Sequence, residues 1–442
     1  MEKKIVIVGA GVAGINAATK LVDNGYPGEL ITILDKGNDP HNRLPEEVMT
    51  GMLGAGGWSD GKLTYHTAIG GQLAKYCGEE KAMELMKQVV DNFTRFHPKP
   101  EEIFMSDPQE EPEFIKPYFG LRMFPVWHIG SNFLHEIAKN WYSYLLDKGV
   151  RFEWNTTVIN IDFQKQDITT VCENPKLAEY YNYDELIFAV GKSGIDFAQQ
   201  LADDYQLPNE PKSVQIGVRF EAPQKYFQKL IDVSYDFKLY QKFDNVSLRS
   251  FCTNNNAAYV AVEETYGDVS YNGHAKKGEE FRNDMTNFGI LMEIKGIEDP
   301  FAWSRDVVQK CQTLKLDMGA DWSEPGGGIY YSPSRDISTT SEHALIKATK
   351  VGSLDIFKNA FGEYADHIIN FIDNMNSVFN FGDDWGMYIP EVKYLSPEPL
   401  VNYTDLSLTE YTNVHFVGDA LSARGITVSG AHGIYVAESL LK

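Results

Sequence analysis

Apolar positions in this chain alternate between runs that suit strands and 3.6-residue spacings that suit helices. KKIVIVG (3–9) is a continuous β-branched run closed by glycine, the pattern of a buried strand. In GVAGINAATKLVDNG (11–25), Val12, Ile15, Ala18, Leu21 and Val22 share one helical face. ELITILDKG (29–37) predicts a second strand ending at Asp35. VRFEWNTTVINIDF (150–163), YDELIFAVGKSG (183–194) and VHFVGDA (414–420) predict further strands, and 427–441 predicts a helix with small residues on its early face. VQIGVRFEA, SLRSFC and AAYVAVEE predict strands in the middle of the chain. Helices are expected at about 77–95, 299–315 and 353–376, and WSEPGGGIYYSPSR (322–335) is expected to be a loop. No internal repeat or low-complexity tract is present.

The first two strands and their helix frame VIVGAGVAG, with Gly9, Gly11 and Gly14 in GxGxxG spacing. Gly9 would permit the tight turn, Gly11 the approach of a pyrophosphate, and Gly14 the close packing of helix on strand. The helix N-terminus supplies N–H groups and partial positive charge for phosphates. Asp35 stands where a carboxylate accepts both ribose hydroxyls, which also argues against a 2′-phosphate in this pocket. Strand, turn, helix and acid in this order predict dinucleotide binding. No second GxGxxG follows a strand: GAGG (54–57) and GGG (326–328) lack the frame, so no dedicated NAD domain is expected. NAD(P)H, where it reduces the cofactor, would bind transiently as electron donor.

The C-terminal segment places Gly418–Asp419 at a strand end just before the last helix. It resembles the second mark of FAD-binding flavoproteins with two dinucleotide-binding domains. That resemblance implies FAD as cofactor, with Asp419 on the ribityl chain and the start of the last helix, Gly425 and Ile426, facing the pyrimidine side of the flavin. A helix N-terminus there stabilises the negative charge of reduced flavin. Gly191 would mark the return of the chain to the FAD domain, and Val158 would lie against the adenine.

Composition narrows the function. The chain has 442 residues, 43% apolar and 23% charged, as expected of a folded enzyme with one large or two ordinary domains. No apolar run approaches the roughly 20 residues of a bilayer span. The apolar stretch after MEKK is too short for a secretory signal, so a cytoplasmic location is expected. A net charge of −22 opposes nucleic-acid and anionic-membrane partners and leaves a small-molecule substrate. Cys77, Cys172, Cys252 and Cys311 form no close pair, which excludes the usual structural zinc and iron–sulfur patterns, and no metal is expected. The aromatic content of 13% is compatible with a homodimer.

Further stretches, in order, are GAGGWSDGKLT (54–64), HIGSNFL (128–134), AVGKSG (189–194), IGVRFEAP (216–223), DFK (236–238), RSFC (249–252), NGH (272–274), TNFGIL (286–291), PEVK (390–393) and GDALSARGI (418–426). With the two end motifs they make the chain resemble the poorly characterised bacterial FAD-dependent dehydrogenases, with a more distant similarity to geranylgeranyl reductases. Many members of that family carry a cysteine-rich stretch before the GGxSDGK motif; here HNRLPEEVMTGML (41–53) has none, so no redox role of such thiols is inferred. WGMYIP (385–390) is only partly similar to the WxWxIP motif of flavin-dependent halogenases, since Met387 holds the second tryptophan position.

The expected fold is α/β: a discontinuous, glutathione-reductase-like Rossmann-type FAD-binding domain (1–75, 120–205 and 390–442), a helical insertion (76–119) and an α+β substrate domain (206–389). The segment GGWSDGKL is expected to wrap the flavin, with Gly56 and Gly57 admitting the backbone and Ser59, Asp60 and Lys62 beside the ring. Arg424 is the first candidate for stabilising charge, and His432 and His128 are candidates for acid–base or flavin contact. Tyr65 and His66 would line the pocket, and Arg219, Arg249 and His274 would bind a carboxylate substrate. The reaction expected is hydride transfer between flavin and a small organic molecule, oxidising or reducing a C–C or C–N bond. The alternatives are a flavin monooxygenase using NAD(P)H and oxygen, and a non-catalytic flavin-binding protein.

Overall fold

Among the described residues, five short strands are aligned in one parallel sheet, four of them almost wholly buried and the edge strand at Arg151–Glu153 partly exposed. They are β1 (Ile5–Val8), β2 (Ile31–Leu34), β3 (Arg151–Glu153), β4 (Glu185–Phe188) and β5 (Val414–Phe416). The spatial order is β5-β4-β1-β2-β3, with all neighbours parallel. The structure is a computed structural model that describes residues 2–44, 47–59, 61–172, 178–209, 214–265, 268–276, 278–317, 328–336, 348–393 and 398–442. The chain divides into two units: residues 1–105, 127–211 and 395–442 form the first, and residues 106–126 and 212–394 the second.

In the first unit, α1 (Val12–Asp23) crosses from β1 to β2, and its apolar positions are buried as its spacing predicts. The other main helices are α2 (Glu79–Phe96), α3 (Leu134–Asp147) and α4 (Ile426–Leu440). Helix α4 packs along α1 and against α2. Close approach explains its small residues: a Cβ on Gly433 would run into the Ala13 carbonyl. Strands Thr156–Asp162, Asp167–Cys172 and Ala178–Asn182 form an antiparallel meander between β3 and β4. The segment expected as one insertion, 76–119, divides between the units at residue 105, and α2 is part of the first unit's core.

Among the described residues, the second unit is built on an eight-stranded sheet. Its centre is Val214–Pro223, flanked by Met285–Ile294 and Gly386–Val392, all antiparallel. Val246–Asn256 follows on the outer side of Met285–Ile294. Phe220 and Phe288 face each other across strands and stack with Phe227 and Phe381 in an aromatic layer. Arg219 and Glu221, one residue to either side, point to the opposite face, as the pleat requires. The hairpin Ala258–Thr265/Asp268–Ala275 packs by way of its second strand on Gly386–Val392.

Two boundary expectations change. The helix expected over 353–376 is two helices, Asp355–Phe361 and Ala365–Phe379, because Gly362 adopts a φ of 58° and ends the first. In the loop expected over 322–335, residues 322–327 lie outside the described residues. Gly328–Tyr331 is a strand paired with Gly386–Val392, with Ile329 and Tyr330 fully buried. Apolar character there outweighed the preceding glycines.

Candidate functional site

Four motifs end at the carboxyl edge of the parallel sheet, where ligands of open α/β sheets bind. Gly9 follows β1, Asp35 follows β2, Gly191 follows β4 and Gly418–Asp419 follows β5. The first backbone bonds of the helices are Ile15 N to Gly11 O in α1 (3.0 Å) and Ser429 N to Gly425 O in α4 (2.8 Å). The N–H groups ahead of them, of residues 12–14 and 426–428, lie outside the intrahelical ladder and form the positive ends of the helices.

The glycines serve distinct ends. Gly9 has a φ of 108°, and a Cβ there would lie 2.6 Å from the Ala189 carbonyl oxygen. A Cβ on Gly14 would collide with the Gly9 oxygen and lie 2.9 Å from Ile7 Cγ2, so helix and strand are in backbone contact. Gly11 differs: the nearest atom to its Cβ position is Ala189 O at 3.9 Å, and Gly191 faces nothing within 4 Å. This open cradle beside a helix N-terminus fits a pyrophosphate, and thus the dinucleotide.

Asp35 organises the cradle. Its Oδ2 accepts from Ala10 N at 2.8 Å, and its Oδ1 accepts from Gly37 N and Gly51 N, each at 2.8 Å. A carboxylate has about four acceptor positions. With three used by the backbone, about one remains for a ribose hydroxyl, a narrower part than the two-hydroxyl contact expected. Thr156 N donates to Asp35 O at 2.9 Å, which brings the strand carrying Val158 beside this turn.

Gly56 is the place where the two helix starts meet. Its Cβ would collide with Val12 Cγ2 and lie 3.9 Å from Ile426 Cγ1. Gly57 packs against Arg43, and Ser59 Oγ donates to Gly56 O at 3.1 Å, closing its own turn. Asp60 lies outside the described residues. Lys62 is buried on the strand Lys62–Thr64, which Thr427 Oγ1 ties to the first turn of α4. Ile129 N donates to Gly61 O at 2.8 Å and so sets His128 beside this loop. The His128 ring is stacked on Phe104 with centroids 4.5 Å apart.

At the start of α4, Arg424 Nε lies 3.3 Å from Asp419 Oδ1. Gly70 O accepts from Arg424 N at 2.6 Å and from Gly425 N at 3.0 Å. Neither Gly70 nor Arg43 was singled out from sequence. The adjacent glycines of IGGQ (69–72) were the available signal for the first.

Three expectations are corrected. His432 is fully buried in α4, edge-on to Tyr76 at 5.7 Å, and its ring nitrogens have no hydrogen-bond partner. Burial pushes its pKa down to about 3, so the ring is neutral in working conditions and does not fit an acid–base role. Tyr65 turns its hydroxyl to Met83 O at 3.3 Å, towards α2, and His66 Nδ1 accepts from Ala68 N at 3.1 Å within its own turn. Of the three cations expected to bind a carboxylate substrate, Arg219 is taken up by the sheet. Arg219 is fully buried, donating from Nε to Asn287 Oδ1 at 3.0 Å and from Nη2 to Cys252 O at 2.7 Å, with Glu391 Oε2 at 3.6 Å from Nη1. Its guanidinium holds the sheet together and presents no face to a substrate. Arg249 Nη2 contacts Gln215 Oε1 at 3.4 Å, and His274 stands opposite Tyr259 in the hairpin.

Among the described residues, no group of three or more His, Cys, Asp or Glu side chains is arranged to hold a metal. No helix among them is long and apolar enough to cross a membrane.

Residues 3–216 match the family described as pyridine nucleotide-disulphide oxidoreductase. No curated protein matches the chain. Among solved structures, the chain is similar to a flavoprotein/dehydrogenase from Cytophaga hutchinsonii (11% identity, 99% of this chain and 78% of that one, TM-score 0.42). It is also similar to CmlS, a flavin-dependent halogenase (10% identity, 100% of this chain and 58% of that one, TM-score 0.44). A third is a mutant of 2-methyl-3-hydroxypyridine-5-carboxylic acid oxygenase (11% identity, 100% and 83%, TM-score 0.40). All four cysteines are free in the structure. The matched stretch, just under half of the chain, holds Gly9, Gly11, Gly14, Asp35 and Gly191 at one sheet edge, the arrangement of a Rossmann-type FAD-binding fold.

Proposed function

We propose that the chain is an FAD-dependent oxidoreductase that moves a hydride between flavin and a carbon of a small organic substrate, oxidising or reducing a C–C or C–N bond. The observation that carries this reading is the meeting of the α1 and α4 N-termini at Gly56, with Asp419 and Arg424 beside the second of them. A binding-only protein needs the first helix for the phosphates. The second helix start, with a cation next to it, supplies positive potential where a reduced flavin carries negative charge.

FAD supplies the redox chemistry when bound. The chain's own residues bind and orient it. Gly11 and the first N–H groups of α1 would take the pyrophosphate, and Asp35 a ribose hydroxyl. Asp419 would hold the ribityl chain, while the first turn of α4, Arg424 and Lys62 would stabilise anionic charge. His128, buried against Phe104, would help to exclude water. NAD(P)H as a transient donor, a cytoplasmic location and a homodimer belong to the same proposal.

The test is an anaerobic titration of the FAD-loaded protein, following flavin absorbance. Reduction by NAD(P)H or by an organic donor, then reoxidation by an organic acceptor without oxygen, is the expected result. Flavin turnover that requires oxygen and releases a hydroxylated product would contradict it in favour of a monooxygenase. Flavin that binds but is reduced by no donor would favour the binding-only reading.

A further inference from the structure

Arg43 lies between the Asp35 turn and the turn at 54–58, in a stretch to which no role has been attached. Its guanidinium is surrounded by carbonyl oxygens. Nε and Nη2 donate to Glu47 O at 3.1 and 2.9 Å. Nη2 also reaches Val48 O at 3.3 Å and Gly54 O at 2.9 Å, and Nη1 donates to Met52 O at 2.7 Å. The group stands over the Trp58 ring, 5.5 Å from its centroid. Burial pulls its pKa down to about 10, against the pull of Asp35 and Glu47, so it remains charged at neutral pH.

The segment so gathered folds back on the phosphate loop. Leu53 N donates to Ala10 O at 2.8 Å, and Leu53 pairs with Gly11 as a parallel bridge. Gly51 N donates to Asp35 Oδ1 at 2.8 Å. Leu53 and Gly54 have φ values of 64° and 50°. A leucine in that region is sparsely populated and persists only where its surroundings determine it. The carbonyls of Met52 and Gly54, on either side of Leu53, both end on Arg43. On its far side the guanidinium closes on Gly57, where a Cβ would lie 2.7 Å from Nη1.

We propose that Arg43 is a positioning residue for FAD: by gathering the carbonyls of Glu47, Val48, Met52 and Gly54 it fixes the left-handed Leu53–Gly54 turn against Gly11. The phosphate loop and the 54–58 turn then meet the cofactor as one preformed surface. The arrangement uses the planar fork of arginine, whose five donors leave in several directions. Lysine keeps the charge but directs three donors from one atom.

The inference rests on FAD being the cofactor, and its test separates the two. FAD affinity is measured by fluorescence titration for wild type, Arg43→Lys, Arg43→Gln and, as a control, Arg95→Gln, whose side chain pairs with Asp23 at 2.8 Å. Amide hydrogen exchange is followed in each protein without FAD. Both Arg43 variants are expected to weaken FAD at least tenfold, with faster exchange confined to residues 47–58, and Arg95→Gln to match wild type. Arg43→Lys with wild-type affinity would overturn the proposal. So would exchange that rises across the whole parallel sheet, since that marks a general loss of structure. In wild type the amides of Gly51, Leu53 and Gly54 should be protected before FAD is added; rapid exchange there would overturn the preformed turn even if no Arg43 variant folded. Failure of wild type to bind FAD would count against the cofactor, and the exchange data would still report on Arg43.

Discussion

Arg424 Nε and Asp419 Oδ1 stand 3.3 Å apart, both side chains largely covered. The aspartate proposed for the ribityl chain and the cation proposed for the reduced flavin therefore form an ion pair. The pair stands at the start of α4, where Gly70 O fixes the backbone. Arg424→Gln is expected to make the flavin midpoint potential more negative by about 30 mV, the equivalent of about 1.4 kcal/mol for a two-electron couple. Asp419→Asn should weaken FAD binding and leave Arg424 less ordered. Spectroelectrochemistry checks the first and a binding titration the second. An unchanged potential would remove Arg424 from the flavin site.

The glycines of the phosphate loop should separate folding from binding. A Cβ fits at Gly11, so Gly11→Ala should leave the stability of the FAD-free protein within about 0.5 kcal/mol. It should still weaken FAD at least tenfold, because the methyl occupies the phosphate position. Gly14→Ala should destabilise the fold by about 2 kcal/mol, because its Cβ meets the Gly9 carbonyl. Denaturant melts with and without FAD distinguish the two.

At the opposite edge of the sheet, Glu185 should matter for stability and not for binding. It accepts from His415 Nε2 at 3.0 Å and from Lys3, and it opens β4. Burial alone would raise its pKa, but the hydrogen bonds from His415 and Lys3 outweigh that and hold it below the usual carboxylate range. Its contribution is therefore present above the unfolded pKa of about 4.5 and is lost as pH falls through the folded value. Glu185→Ala, which leaves buried His415 without this partner, should destabilise by about 3 kcal/mol. FAD affinity of the folded fraction should not change.

Two buried groups should tilt the pH dependence of stability in opposite directions. His432, with a folded pKa of about 3, binds its proton more weakly folded than unfolded, so stability is lost as pH falls from about 6.5 towards 3. His432→Leu should flatten that loss and leave the pH profile of turnover in place, since the ring is no acid–base group. Glu221 is driven up to about 7 by burial, against Arg335 and a 3.1 Å hydrogen bond from Tyr330. It binds its proton more tightly folded, so stability is lost as pH rises from about 4.5 to 7. Glu221→Gln should remove that second slope. Urea midpoints between pH 4 and pH 8 check both.

Local spacing made half of the site legible. Gly9, Gly11, Gly14 and Asp35 lie within one strand–helix–strand unit, and each role depends on distance along the chain. Gly418 and Asp419 were legible as a strand end before a helix. Arg43 was not, because its partners are main-chain carbonyls, which have no residue signature. Gly70 acts on a helix start more than 350 residues away, at the N–H groups of Arg424 and Gly425. Arg219 was read as an available cation, whereas a neighbouring amide and a carbonyl take it into the sheet. Burial of that kind depends on tertiary packing, and composition does not report it. His432 follows the same rule: spacing places it in a helix, and packing turns its face to Tyr76.

The most direct measurement is a titration of cofactor-free protein with FAD, wild type beside Gly11→Ala, following flavin fluorescence. Wild type should saturate at one FAD per chain, and Gly11→Ala should fold normally and bind at least tenfold more weakly. No uptake by wild type, or equal affinity in the two proteins, would contradict a cofactor seated at the carboxyl edge of the parallel sheet.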